Sequence, residues 1–174
     1  MKSDSTRRHF RPPVIWLIVE RDFGAALLLF VIAGASDGLD GYLAKRFDWT
    51  SELGGVLDPI ADKFLMVSCF IALTGIGLVP LWLTLIVVAR DLIIIGGATA
   101  YHYLAGGFSA APTLLSKINT GVQILVVLAV LGDAWLQLHV SLAPLLWLAA
   151  ATALASGAHY VLSWSTRARR AMRR

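Results

Sequence analysis

The sequence predicts an all-α integral membrane protein, a bundle of six transmembrane helices forming one domain over residues 1–174. Three observations carry this expectation. Hydrophobic residues make up 57% of the chain and charged residues 15%, with a mean hydropathy of +0.72, which is too apolar for a water-soluble domain of this size. Apolar runs of membrane-crossing length recur, joined by short connections that carry Gly, Pro or charge. Twelve of the fifteen Lys and Arg residues fall in stretches that successive crossings place on one side.

The apolar segments are residues 12–19, 23–43, 55–77, 80–104, 114–131 and 140–164. The first is short: eight helical residues rise about 12 Å, against a hydrocarbon core about 30 Å thick. It is a truncated helix, or borrows from the arm before it, or lies in the interface. The basic residues sit in the arm 1–11 (Lys2, Arg7, Arg8, Arg11), after the second segment (Lys45, Arg46), at Lys117, and in the tail 165–174 (Arg167, Arg169, Arg170, Arg173, Arg174). Six crossings put all of these, and both termini, on the cytoplasmic side, where the arm and tail can meet anionic headgroups. Nothing in these clusters calls for nucleic acid. The start of the chain does not read as a cleavable secretory signal. The single cysteine, Cys69, lies in an apolar run and reads as a small packed residue.

Between the second and third segments the polarity changes in an organised way. Asp37 and Asp40 are three apart near the cytoplasmic end of the second helix, and Asp58 and Asp62 are four apart near the cytoplasmic start of the third. Both spacings put each pair on one helical face. The connection 45–55 makes the two helices antiparallel neighbours, so their acidic faces can meet. Four converging carboxylates repel unless cations lie among them, and hard oxygen donors suit Mg²⁺ or Mn²⁺. Two such ions bridged by carboxylates are a recognised arrangement for displacement at phosphorus. Gly41 and Gly54 flank the carboxylates and read as places where a ligand approaches the backbone, whereas Gly34, Gly38, Gly96 and Gly97 read as helix–helix contacts.

Residues 37–62 resemble the signature of the CDP-alcohol phosphatidyltransferases, D-x2-D-G-x2-A-R-x8-G-x3-D-x3-D. Asp37, Asp40, Gly41, Ala44, Gly54, Asp58 and Asp62 match at the family's spacings; Lys45 stands where the family has Arg, and Arg46 follows it. The resemblance implies attack by an alcohol on the β-phosphorus of a CDP-linked lipid, usually CDP-diacylglycerol, with CMP leaving. It implies that Asp37, Asp40 and Asp58 are metal ligands, with Asp62 completing the site and serving as general base. It implies a CDP site made by Asp37, Gly41, Ala44, Lys45 and Gly54. A Lys at position 45 is a point charge and gives up the bidentate pairing an Arg would make with the diphosphate.

The D-P-I-A-D-K form at 58–63 resembles the branch of the family that uses glycerol-type acceptors, the phosphatidylglycerophosphate synthases and the CDP-alcohol type of cardiolipin synthase. Residues 89–98 and 112–123 resemble two further stretches of the latter. Arg90 and Lys117 are candidates for the acceptor's phosphate. The competing reading of Arg90 is an intramembrane ion pair with Asp91, and that of Lys117 a topology-setting interfacial lysine. His102 and Tyr103 read as interfacial, His159 and Tyr160 as packing or capping groups, most tryptophans as interface anchors, and Asp133 as an outside-loop residue without a role.

The expected function is therefore phospholipid biosynthesis: a metal-dependent phosphatidyl transfer in a multi-pass membrane protein, with the bacterial inner membrane as its place. The partners are CDP-diacylglycerol, an alcohol acceptor and membrane lipids, and the assembly is open between one chain and a homodimer. The rival class is a small cation or proton transporter, which explains intramembrane acids but not the interleaved Gly, Ala and Lys spacing. A second alternative keeps the chemistry and changes the acceptor, for example to inositol phosphate.

Overall fold

Six helices follow one another along the chain: α1 (Pro13–Val19), α2 (Phe23–Arg46), α3 (Gly54–Gly75), α4 (Leu81–Ala105), α5 (Leu114–Leu136) and α6 (Ala143–Ala171). The computed structural model describes residues 13–46, 54–105 and 113–171, with side chains at 13–36, 63–97 and 113–163. Among the described residues there is no strand. Each expected segment coincides with a helix.

Local chemistry sets the helix ends. Pro13 opens α1, at the position where a missing N–H costs nothing. At its other end Asp22 N donates to the Leu17 carbonyl (3.0 Å) and Arg21 N to that of Ile18 (3.1 Å), with Arg21 left-handed at φ 63°. This is a Schellman closure with a non-glycine residue at its strained position. Asp22 then begins α2, its Oδ1 accepting the N–H of Ala25 at 3.2 Å as an N-cap. The same closure ends α3: Leu78 N reaches the Leu73 carbonyl (2.9 Å) and Gly77 N that of Thr74 (3.0 Å), and here Gly77 takes the left-handed place at φ 84°. Thr113 caps α5, its Oγ1 accepting from Ser116 N at 3.2 Å.

Three helices outrun their hydrophobic stretches. α2 continues to Arg46, α5 to Leu136 and α6 to Ala171, through Arg167, Arg169 and Arg170. No Gly or Pro follows Trp164 within α6, and Ala and Arg are good helix formers, so the helix passes the point where hydropathy ends. The extension of α5 places Asp133 inside a helix and not in an outside loop. α1 stays short: its seven residues rise about 10 Å, too little for a crossing by themselves.

The chain forms two units. One comprises Met1–Leu78 with Val130–His139; the other comprises Val79–Ala129 with Val140–Arg174. In the first, α1 packs against both α2 and α3. Val14 and Ile18 of α1, Ala26 and Phe30 of α2, and Cys69, Phe70 and Leu73 of α3 are buried there. In the second, α4 and α6 pack closely. Ala149 and Ala153 are buried on α6, and a Cβ added at Gly157 would come within 3.6 Å of the Arg90 side chain. These positions form a small-residue stripe at four-residue spacing that admits a neighbouring helix. Gly34 in the first unit and Gly96 in the second, both expected at helix contacts, have open space where a Cβ would stand, and the close approach in the second unit is made at α6.

The outer faces are strongly apolar, and a small set of polar side chains is buried within an otherwise apolar core. Leu28, Phe64, Leu85, Leu92, Leu125, Leu154 and Leu162 are exposed, while Thr84, Arg90, Asp91, Asn119, Gln123 and Ser156 are buried. A surface this apolar suits hydrocarbon as solvent. By length and composition, Leu114–Leu136 and Ala143–Ser163 can cross a membrane, and Phe23–Ser36 and Lys63–Gly75 are shorter apolar helices.

Candidate active site

The signature falls on helical backbone at both of its ends. Asp37, Asp40, Gly41, Ala44 and Lys45 belong to the last turns of α2, and Gly54, Asp58 and Asp62 to the first turns of α3. At about 100° per residue, positions 37 and 40 lie about 60° apart around α2, and positions 58 and 62 about 40° apart around α3. Each pair thus shares a face, as the spacing predicts. The connection 47–53, and the meeting of the two acidic faces, lie outside the described residues. Pro59, a feature the sequence reading passed over, sits inside α3; lacking an N–H, it leaves the Gly55 carbonyl without its intrahelical donor, one turn from Asp58.

Four carboxylates at helical spacing form a donor set that fits a hard divalent cation. The aspartate side chains lie outside the described residues, and among the described residues no group of three or more His, Cys, Asp and Glu could hold a metal ion.

The second unit holds the other two candidate residues, in contrasting surroundings. Arg90 is 3% exposed on α4. Its Nη1 donates to Asp91 at 2.5 Å, and its Nη2 donates to Ser116 of α5 at 2.7 Å and Ser156 of α6 at 2.8 Å. The ion pair weighed for Arg90 is thus present, within a larger network. Lys117, one residue beyond Ser116, is exposed. Nearby, the Thr152 hydroxyl lies 3.2 Å from Asn119 Oδ1, and Thr113 N lies 3.5 Å from the hydroxyl of buried Tyr160. Arg90 Nε, Asn119 Nδ2 and Gln123 Nε2 are buried without a hydrogen-bond partner. Sequence reasoning missed Ser116, Ser156 and Thr152; the signal was their helical spacing, since 116, 119 and 123 share a face of α5, and 152 and 156 a face of α6. The capping role expected of Tyr160 is present, while His159 is exposed and meets Tyr160 edge to face at 6.4 Å.

Residues 6–157 match the sequence profile of the CDP-alcohol phosphatidyltransferases. The chain belongs to that family. The membership read from residues 37–62 is borne out over most of the chain. Among similar proteins, the probable cardiolipin synthase (CMP-forming) of Drosophila melanogaster is 37% identical over 176 residues, covering 91% of this chain and 55% of the relative. The human cardiolipin synthase (CMP-forming) is 36% identical over 143 residues, 73% of this chain and 48% of that protein. A CDP-diacylglycerol–glycerol-3-phosphate 3-phosphatidyltransferase of Bacillus subtilis is 36% identical over 108 residues, 62% of this chain and 54% of that protein. The chain thus spans about half the length of the curated relatives it matches. Their names cover both acceptor types that the D-P-I-A-D-K form suggested.

Proposed function

We propose that this phosphatidyltransferase acts in phospholipid biosynthesis, moving the phosphatidyl group of CDP-diacylglycerol to a glycerol-type alcohol with release of CMP. The acceptor is glycerol 3-phosphate, giving phosphatidylglycerophosphate, or phosphatidylglycerol, giving cardiolipin. The observation that carries the reading is the complete set of signature aspartates, two on each of two helices, in a chain that matches the family over residues 6–157.

Asp37, Asp40, Asp58 and Asp62 would hold two Mg²⁺ or Mn²⁺ ions. When bound, such ions neutralise negative charge on the diphosphate and on the departing CMP. Asp62 takes the proton of the acceptor hydroxyl as its oxygen bonds to the β-phosphorus and the bond to the CMP oxygen breaks. Gly41, Ala44 and Gly54 carry little or no side chain, so the nucleotide can lie along the helices beside Asp37, with Lys45 pairing with the diphosphate. The acceptor's phosphate falls to one of the two cations outside the signature, Lys117 or Arg90.

The reading includes a multi-pass topology. Counted as six crossings, the helices leave both termini and the aspartates on the cytoplasmic side, with a bacterial inner membrane as the setting. That placement keeps the acyl chains in the bilayer while CDP reaches water. Membrane lipids are its surroundings, nucleic acid has no part, and a homodimer is compatible with it.

The test is to incubate purified protein with CDP-diacylglycerol, Mg²⁺ or Mn²⁺ and a panel of acceptors, and to identify the lipid product by mass. Phosphatidylglycerophosphate or cardiolipin is the expected product. Turnover with inositol phosphate, serine or choline, and with neither glycerol compound, would overturn the acceptor class while leaving the metal site standing.

A further inference from the structure

We infer that Arg90 is a positioning residue, not an acceptor ligand: it ties the first turn of α5 to α6 and so sets the place of Lys117, which meets the acceptor's phosphate. This rests on the proposed transferase reading and assigns the two cations different duties.

Three observations point this way. The guanidinium is committed to the protein, with Nη1 on Asp91 and Nη2 shared between Ser116 and Ser156, and only Nε lacks a partner. Arg90 is also buried, whereas Lys117 is exposed and separated by one peptide bond from a serine that Arg90 holds. A mobile lipid phosphate has access to the exposed cation. Finally, close backbone packing among the described residues of this unit joins α4 to α6. The start of α5 is joined to them by hydrogen bonds: Ser116 to Arg90, Asn119 to Thr152, and Thr113 to Tyr160. The bond from Arg90 is the charged one, and charge-assisted bonds are roughly twice as strong as neutral ones. Arg90 and Ser156 are buried, where water does not compete, so losing the bond frees the turn that carries Lys117.

Ser156 gives the sharpest test. It is fully buried, so it cannot touch an acceptor, and removing its hydroxyl leaves the Arg90–Asp91 pair in place. Ser156→Ala, with Arg90→Lys as a second variant that keeps the charge for Asp91, is compared with wild type in two assays. In hydrogen exchange of the peptide spanning 113–120, the Ser116 and Lys117 amides are expected to exchange about tenfold faster in both variants. In kinetics, Ser156→Ala is expected to raise the KM for the glycerol acceptor about tenfold, leave that for CDP-diacylglycerol within about twofold, and add nothing in a Lys117→Ala background. Unchanged exchange overturns the inference. So do additive effects of Ser156→Ala and Lys117→Ala on acceptor KM, or an equal rise in both KM values. A wild-type protein that transfers to no glycerol acceptor overturns the acceptor class by itself, and hydrogen exchange then still decides whether Arg90 holds the turn.

Discussion

Arg90 and Ser156 are 66 residues apart in sequence and 2.8 Å apart in the structure, guanidinium nitrogen to hydroxyl oxygen. The bond joins α4 to α6 beside the buried pair of Arg90 with Asp91. Removing one member of a buried pair leaves the other charge in an apolar setting. Arg90→Met should therefore lower stability by about 3–5 kcal/mol in thermal unfolding of the detergent-solubilised protein. The double substitution Arg90→Met with Asp91→Leu should recover part of that loss. An unchanged midpoint in the single variant would mean that the pair contributes nothing.

Metal dependence is the second expectation. Chelation by EDTA should abolish CMP release, and Mg²⁺ or Mn²⁺ should restore it. Asp37→Asn, Asp40→Asn and Asp58→Asn should each lose most activity while still inserting into the membrane. Undiminished turnover in excess EDTA would remove the metal from the mechanism.

Asp62 should separate from the other three aspartates. As the proton acceptor, its replacement by Asn should lower kcat by about 10²–10⁴-fold while CDP-diacylglycerol binding falls less. Metal affinity is measured in the same variant, because positions 58 and 62 share a face of α3. Equal loss of binding and rate would return Asp62 to a purely ligating role.

Lys45 is the one departure from the signature. Lys45→Ala should weaken CDP-diacylglycerol binding, and Lys45→Arg should keep or improve it through the planar fork. If Lys45→Ala is silent and Arg46→Ala is damaging, the diphosphate contact belongs to Arg46.

The two Schellman corners predict opposite effects. At Gly77, φ is 84° and space is open, so Gly77→Ala should cost about 1 kcal/mol through backbone strain alone. At Arg21 the strain is already present, and Arg21→Gly should stabilise by less than about 1 kcal/mol, since glycine also frees the unfolded chain. Thermal unfolding reads both; a stabilised Gly77→Ala protein would contradict the assignment.

The helices were legible because their residues are apolar in long runs, and the aspartates because carboxylates beside hydrocarbon are rare. Helix ends were legible only where Gly, Pro or a cap marks them, as at Pro13 and Gly77. At Arg46 and Ala171 hydropathy stops and the backbone continues, because hydropathy reports the solvent and not the hydrogen bonding. The Arg90 network was half visible: the neighbouring Asp91 announced a partner, but Ser116 and Ser156 become partners only through the packing of distant helices. The glycines misled at Gly34 and Gly96, since a small residue permits a close approach without requiring one.

Asp22 closes α1 with its N–H and starts α2 with its carboxylate, so one residue is hydrogen-bonded into both helix ends. Where the two helices turn together, they form a bent lever with α1 as the short arm. Position 37 lies fifteen residues along the long arm, about 22 Å from the pivot at 1.5 Å per residue. A tilt of about 3° at Asp22 displaces the first signature aspartate by about 1 Å, an error of the size that costs about 10²-fold in rate. A change near the start of the chain can thus reach the chemistry without touching a substrate.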